Sequence, residues 1–130
     1  MKRKEIKTMT EEINGLLVLP GEDPVPVRFE NSVKAIRALI GGHFQAIHCQ
    51  TIEEDTWLLC DDDGKYKGLD PNFMLQDDIF VGPVLFVGSN ELGDDFDDIS
   101  RSAMKRIVEF MPLLRTSMKK KLWMLIRNEE

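Results

Sequence analysis

The run "DIFVGPVLFVG", Asp78 to Gly88, is the most apolar stretch of the chain and constrains its fold more than any other segment. Val81, Val84, Leu85, Phe86 and Val87 are mostly β-forming residues, so the run reads as a central strand, with Gly82-Pro83 a bulge or bend within it. A central strand needs neighbours. Leu16–Leu19 and Val25–Phe29 flank the breaker "PGEDP" and read as two short strands, the second an edge strand because its prolines lack a ladder donor. Phe44–Cys49 and Trp57–Cys60 flank a polar connection and are expected to pair antiparallel. Asn31 or Ser32 caps a short helix whose apolar side carries Val33, Ala35, Ile36, Leu39 and Ile40, and Gly41-Gly42 ends it.

After "SNELGDDFDD" the period changes from strand to helix. Ile99, Ala103, Met104, Ile107, Val108 and Met111 fall at helical spacing, with Asp97 or Asp98 near the N-terminus, where the helix dipole favours a carboxylate. Pro112 breaks this helix or starts the next. Leu114, Met118, Leu122 and Ile126 then recur every four residues beside Trp123 and Leu125, predicting a basic amphipathic C-terminal helix. The expected architecture is α+β: a small, mainly antiparallel sheet covered by helices on one face. The expected organisation is a flexible tail over 1–12, one domain over 13–112 and the terminal helix over 113–130. A chain of 130 residues holds one core.

Charge is unevenly spread within the net of −6. Glu53 to Asp98 holds 14 acidic residues against Lys65 and Lys67, whereas Leu113 to Arg127 holds five basic residues and no acid. The acidic middle argues against direct nucleic-acid binding, since phosphate neutralisation supplies most non-specific affinity. It suits a surface that competes for a basic partner, or simply solvated loops. No apolar run reaches 18 residues and the basic N-terminus lacks an apolar segment behind it, so neither a membrane span nor a signal peptide is expected. Cys49 and Cys60 read as buried reduced thiols, with a cross-strand disulfide as the alternative.

"DDDGKYKGLDPN", Asp61 to Asn72, tests as a calcium loop and fails, because placing Gly64 at the sixth position puts Leu59 where the first ligand belongs. No GxxxxGK[ST] phosphate loop exists either. Asp62-Asp63-Gly64-Lys65 instead has turn chemistry. Asp94, Asp95, Asp97 and Asp98 resemble a carboxylate cluster but read first as cap and loop, with Phe96 as the anchor. His43 and His48, five apart on one strand, fall on opposite faces. No catalytic grouping emerges, so no enzyme activity and no cofactor or metal are expected. The terminal helix has three readings: packing on its own domain, pairing with a second protomer or partner, or lying on an anionic membrane.

The segments "GGHFQAI", "LLCDDDGKYKGLDPN" and "DIFVGPVLFVGSNELGDDFDDIS", in that order, resemble an uncharacterised family of small proteins encoded by bacteriophages, plasmids, bacteria and some large viruses. That family is known chiefly as a domain of unknown function. The likeness spans about Leu16 to Ser100, and Gly42, Phe44, Gly64, Gly68, Pro71, Asn72, Gly82, Gly88 and Phe96 match its recurring positions. The chain departs in Asp70, where a second proline is expected, and in its basic tail. The resemblance implies a mobile-element protein acting in the host cytoplasm and carries over no catalytic residue.

The leading expectation is therefore a non-enzymatic phage accessory factor that inhibits or redirects a host protein, an anti-defence role included. Its partner surface is either the acidic loop (Asp94, Asp95, Asp97, Asp98) or the helix (Leu114, Met118, Leu122, Trp123, Ile126). Deleting residues 113–130 or neutralising the four aspartates is expected to abolish capture and leave the fold intact. The alternative is an oligomeric sponge for a nucleotide signal, using Arg28, Lys65, Lys67 and Asn72. A metal-dependent hydrolase on "GDDFDD" comes third. Homo-oligomerisation stays open.

Overall fold

The computed structural model describes residues 11–128. Of the expected tail over 1–12, only Glu11 and Glu12 lie within them, and Glu12 already belongs to a strand. The chain runs β1 (Glu12–Val18), β2 (Val25–Glu30), α1 (Val33–Ile40), β3 (Phe44–His48), β4 (Trp57–Asp61), α2 (Gly64–Lys67), β5 (Pro71–Leu75), β6 (Asp78–Val81), β7 (Val84–Ser89), β8 (Phe96–Asp97) and α3 (Arg101–Asn128). The class is α+β. The main sheet is antiparallel throughout, ordered β2-β1-β7-β4-β3, with β8 on the end of β7. β2 is indeed an edge, and β3 pairs with β4 as their flanking runs predict.

The apolar run that opened the reading is two strands, not one. Gly82, at φ +72°, turns the chain so that β6 pairs with β5 in a separate hairpin while β7 enters the middle of the main sheet. A Cβ on Gly82 would sit 2.6 Å from Leu69 Cδ1, so this turn takes glycine on two counts. β7 is buried on both faces because the sheet is covered on both, which corrects the expectation of helices on one face. Val84, Phe86, Leu58, Cys60, Leu16 and Val18 pack under α3 and the β5–β6 hairpin with Ile107, Met111, Phe73 and Phe80. The alternate residues Leu85, Val87, Leu59 and Ile13 pack under α1 with Ile36, Ile40 and Phe29.

Ser32 caps α1 by accepting from the Ala35 N–H, and Gly41 ends it at φ +97°. α3 runs unbroken through Pro112, correcting the expected break. Its N-cap is Ser100, whose Oγ accepts from the Ala103 N–H at 3.0 Å, rather than Asp97 or Asp98. The quoted acidic turn closes as an Asx turn, Asp63 N–H to Asp61 Oδ1 at 2.8 Å, followed by the one-turn helix α2 and Gly68 at φ +73°.

Candidate binding surface

At one end of the sheet β3 finishes, β4 begins and β7 finishes, so the two loops that leave there face each other. The loop after β3 is short and pinned. Cys49 and Ile52 are buried, Cys49 N–H donates to Thr56 O at 2.8 Å, and Arg106 of α3 donates to Ile52 O at 2.8 Å. What this leaves outside is Glu54 and Asp55, both exposed. The loop after β7 is held by Asn90, whose side chain exchanges two hydrogen bonds with Asp94 (2.7 and 3.1 Å), while its backbone N–H donates to Asp95 O. Its tip presents Glu91 and Leu92, the latter 85% exposed.

Between the loops lies a groove of about 450 Å3 lined by His48, Glu54, Asp55, Trp57, Glu91 and Leu92 among others. A smaller depression of about 210 Å3 continues from it across Trp57 to Asp94, Asp95 and Phe96. The indole of Trp57 is shared by both, and it is held flat by His48, whose ring stacks on it at 4.6 Å while Nε2 hydrogen-bonds the Glu54 carbonyl. Five carboxylates thus rim an aromatic floor, and among the described residues no lysine or arginine lines either hollow. The surroundings reinforce this: residues 11–100 hold nineteen acidic and five basic residues. Three of those five are already paired, Arg28 with Glu12, Lys65 with Asp78 and Lys67 with Asp61.

The four loop aspartates divide. Asp94 and Asp95 border the depression. Asp97 accepts from the Asp98 N–H, and Asp98 accepts from both the backbone and side-chain nitrogens of Asn14 at 2.7 and 3.2 Å, clamping the approach to α3 onto β1. Truncating Asp98 would remove this clamp, whereas Asp98→Asn keeps an oxygen that can accept both bonds. Among the described residues no three His, Cys, Asp or Glu side chains converge as metal ligands. On α3, Met118 is buried, Leu114 and Leu122 are half-buried, and Trp123 and Ile126 are exposed.

The residues assigned to a nucleotide are not brought together. Arg28 lies on the β2 edge, three strands from β4, or about 14 Å at ordinary strand spacing. Lys65 lines a cavity of about 290 Å3, but Asp61, Asp62, Asp63 and Asp78 line it too, which disfavours a phosphate. Asn72 is buried and spends both amide hydrogens inside the chain, on Val18 O and Gly82 O at 2.8 Å each, so it has none to offer a ligand.

Glu54, Asp55, Trp57, Glu91 and Leu92 were not singled out by the sequence reading, and His48 was weighed there only as a partner of His43. The acidic turns "EED" and "NELGDD" lie over thirty residues apart, and only the β4–β7 pairing makes them one surface.

The family model described as a domain of unknown function, DUF3846, matches residues 13–111, and the chain belongs to that family. No curated protein and no solved structure matches it. Among the described residues no helix is long and apolar enough to cross a membrane.

Proposed function

We propose that this DUF3846 domain is a non-enzymatic binding protein of a mobile genetic element, whose acidic groove takes a basic segment of a host protein in the cytoplasm and so inhibits or redirects it. The observation that carries this reading is the ring of Glu54, Asp55, Glu91, Asp94 and Asp95 around Trp57 and the 85% exposed Leu92. Aromatic and large apolar side chains at the centre of a polar rim are the usual anchors of a protein interface. The carboxylates add steering and select a cationic partner, an effect that weakens as salt screens it. His48 stacks on Trp57 and Asn90 bonds across its loop, contacts that hold the floor in place before a partner arrives and reduce the ordering that binding must supply. A phage factor directed at a defence protein fits this chemistry when the target's working surface is basic.

The test is cross-linked capture from host cells, with the cross-linked residues mapped. The expected partner contacts Trp57 or the 90–95 loop, is lost on Leu92→Asp with Glu91→Lys, and dissociates as salt rises from about 0.1 to 0.5 M. Leu92 and Glu91 are exposed, so that variant keeps the fold. A partner retained by it, or one cross-linked elsewhere, overturns the reading.

A further inference from the structure

α3 is 28 residues long, about 42 Å, and outruns the domain that it covers. Among the described residues its last buried side chain is Met118 and its last polar tie to the body is Arg115. Beyond them Trp123, Met124, Leu125 and Ile126 stand 61%, 57%, 47% and 56% exposed. Four consecutive residues at about 100° steps surround the helix axis, so no single flat face can cover them. They need a groove. From Lys119 to Asn128 the end also carries Lys119, Lys120, Lys121 and Arg127 with no acid.

The same chain carries a groove of matching chemistry. It holds about 550 Å3, more than the three hollows above, and runs beside the middle of α3 between Ile107, Phe110 and Leu114 on one wall and Thr51, Ile52 and Leu75 on the other. Phe110 is 52% exposed in it. Glu109 lines it, and it is flanked by Glu53, next to Ile52, and by Asp77, next to the Gln76 that accepts from Thr51 at 3.0 Å. The lining Arg106 is occupied by its bond to Ile52 O.

We propose that a second copy of this chain fills this groove, each protomer inserting its α3 end beside the other's α3 in a two-fold dimer. The groove centres near Phe110 and the free end near Met124, so a two-fold axis at the half-buried Ser117 puts Met124 opposite Phe110 of the partner subunit and the reverse at once. The contact is self-complementary and closed. It also brings Lys121 to about one turn from Glu109 of the partner subunit. Covering six side chains, Phe110, the half-buried Leu122 and Trp123 to Ile126, at about 100 Å2 each removes about 600 Å2 per protomer, or about 1,200 Å2 in all, the lower edge of stable interfaces. This surface is separate from the groove at Trp57, and either reading can fail without the other.

Light scattering after size exclusion, over about 1–200 µM, reads the proposal directly, because stable interfaces of this size commonly hold in the micromolar range. The intact chain is expected at twice its 14.9 kDa mass. Phe110→Glu in the groove and Met124→Glu at the end are each expected at 14.9 kDa, with helix content unchanged because both sites are exposed in the monomer. Glu109→Lys is expected to weaken dimerisation about tenfold or more, and adding Lys121→Glu to restore it. A 14.9 kDa species across the whole range overturns the proposal, as does a dimer indifferent to Phe110→Glu and Met124→Glu.

Discussion

Arg115 Nη2 donates to Asn72 Oδ1 at 3.0 Å, and around this contact four separate elements are joined. Asn72 reaches back to Val18 O of β1 and to Gly82 O between the two sheets, while Arg115 also donates to Leu19 O, Glu22 O and Asn72 O. The hairpin β5–β6 is not part of the main sheet, so this network, together with the Phe73–Phe86 stacking, fixes where it lies.

Asn72→Leu keeps the size and removes every side-chain bond. Val18 O, Gly82 O and the Arg115 guanidinium then lose partners in a buried place, and an orphaned buried group costs about 1–3 kcal/mol. We expect a loss of about 2–4 kcal/mol in urea unfolding. Arg115→Ala should cost less, since Asn72 keeps its two carbonyl acceptors. Equal effects would show that the arginine, not the amide, is the centre of the network.

This network also shows where sequence reading stops. Alternating apolar residues and turn chemistry made β1, β2, β3, β4 and α1 legible, because each is fixed by local pattern. The β5–β6 hairpin was missed. Its turn is Gln76-Asp77, both at positive φ, without the glycine or asparagine that marks such turns. Arg115 looked like part of a cationic helix face, and only the folded chain shows it turned inward. Pro112 read as a break, yet α3 tolerates it on an exposed side. The Trp57 groove was illegible for another reason: its acids come from two loops that meet only through strand pairing.

Gly88 lies buried in β7 where β8 and the Asp98–Ile99 segment that leads into α3 cross it. A Cβ there would stand 2.3 Å from the Asp98 carbonyl oxygen, a backbone atom that cannot rotate away. Moving it would also strain the Asp98–Asn14 clamp. Gly88→Ala is therefore expected to cost about 2–4 kcal/mol by thermal or urea unfolding. A shift under about 0.5 kcal/mol would mean that the 96–99 segment moves freely on β7.

Burial raises the Cys49 thiol to about 12, helped by the neighbouring Cys60. Burial likewise raises Cys60 to about 11 against a lowering bond from Gln45, with Asp78, Asp61 and Asp62 raising it further. Since the thiolate is the reactive form, neither sulfur should react with iodoacetamide at pH 8 in the native protein, and both should in about 6 M guanidinium. Labelling that tracks global unfolding is the expected result. Fast native labelling of Cys49 would show that the loop after β3 opens on its own.

The carboxylate of Asp61, 2% exposed, is the one acid in the turn that the fold has enclosed. Burial alone pushes its pKa up. The Lys67 ammonium at 2.7 Å, the Asp63 N–H at 2.8 Å, and the positive charge near it from Lys67 and His43 outweigh that, leaving it below the ordinary aspartate value. A carboxyl with a lowered folded pKa stabilises the fold above its unfolded pKa, and the contribution disappears as pH falls through the folded value. Its share of melting temperature should thus be level above about pH 5 and fall away below about pH 4. Asp61→Asn keeps the shape and cannot ionise, so the gap in melting temperature between it and the parent should be level above about pH 5 and narrow only below about pH 4. A gap that stays constant with pH would mean that Asp61 titrates alike in the folded and unfolded chain, with the Lys67 pair and the Asp63 N–H only offsetting the burial.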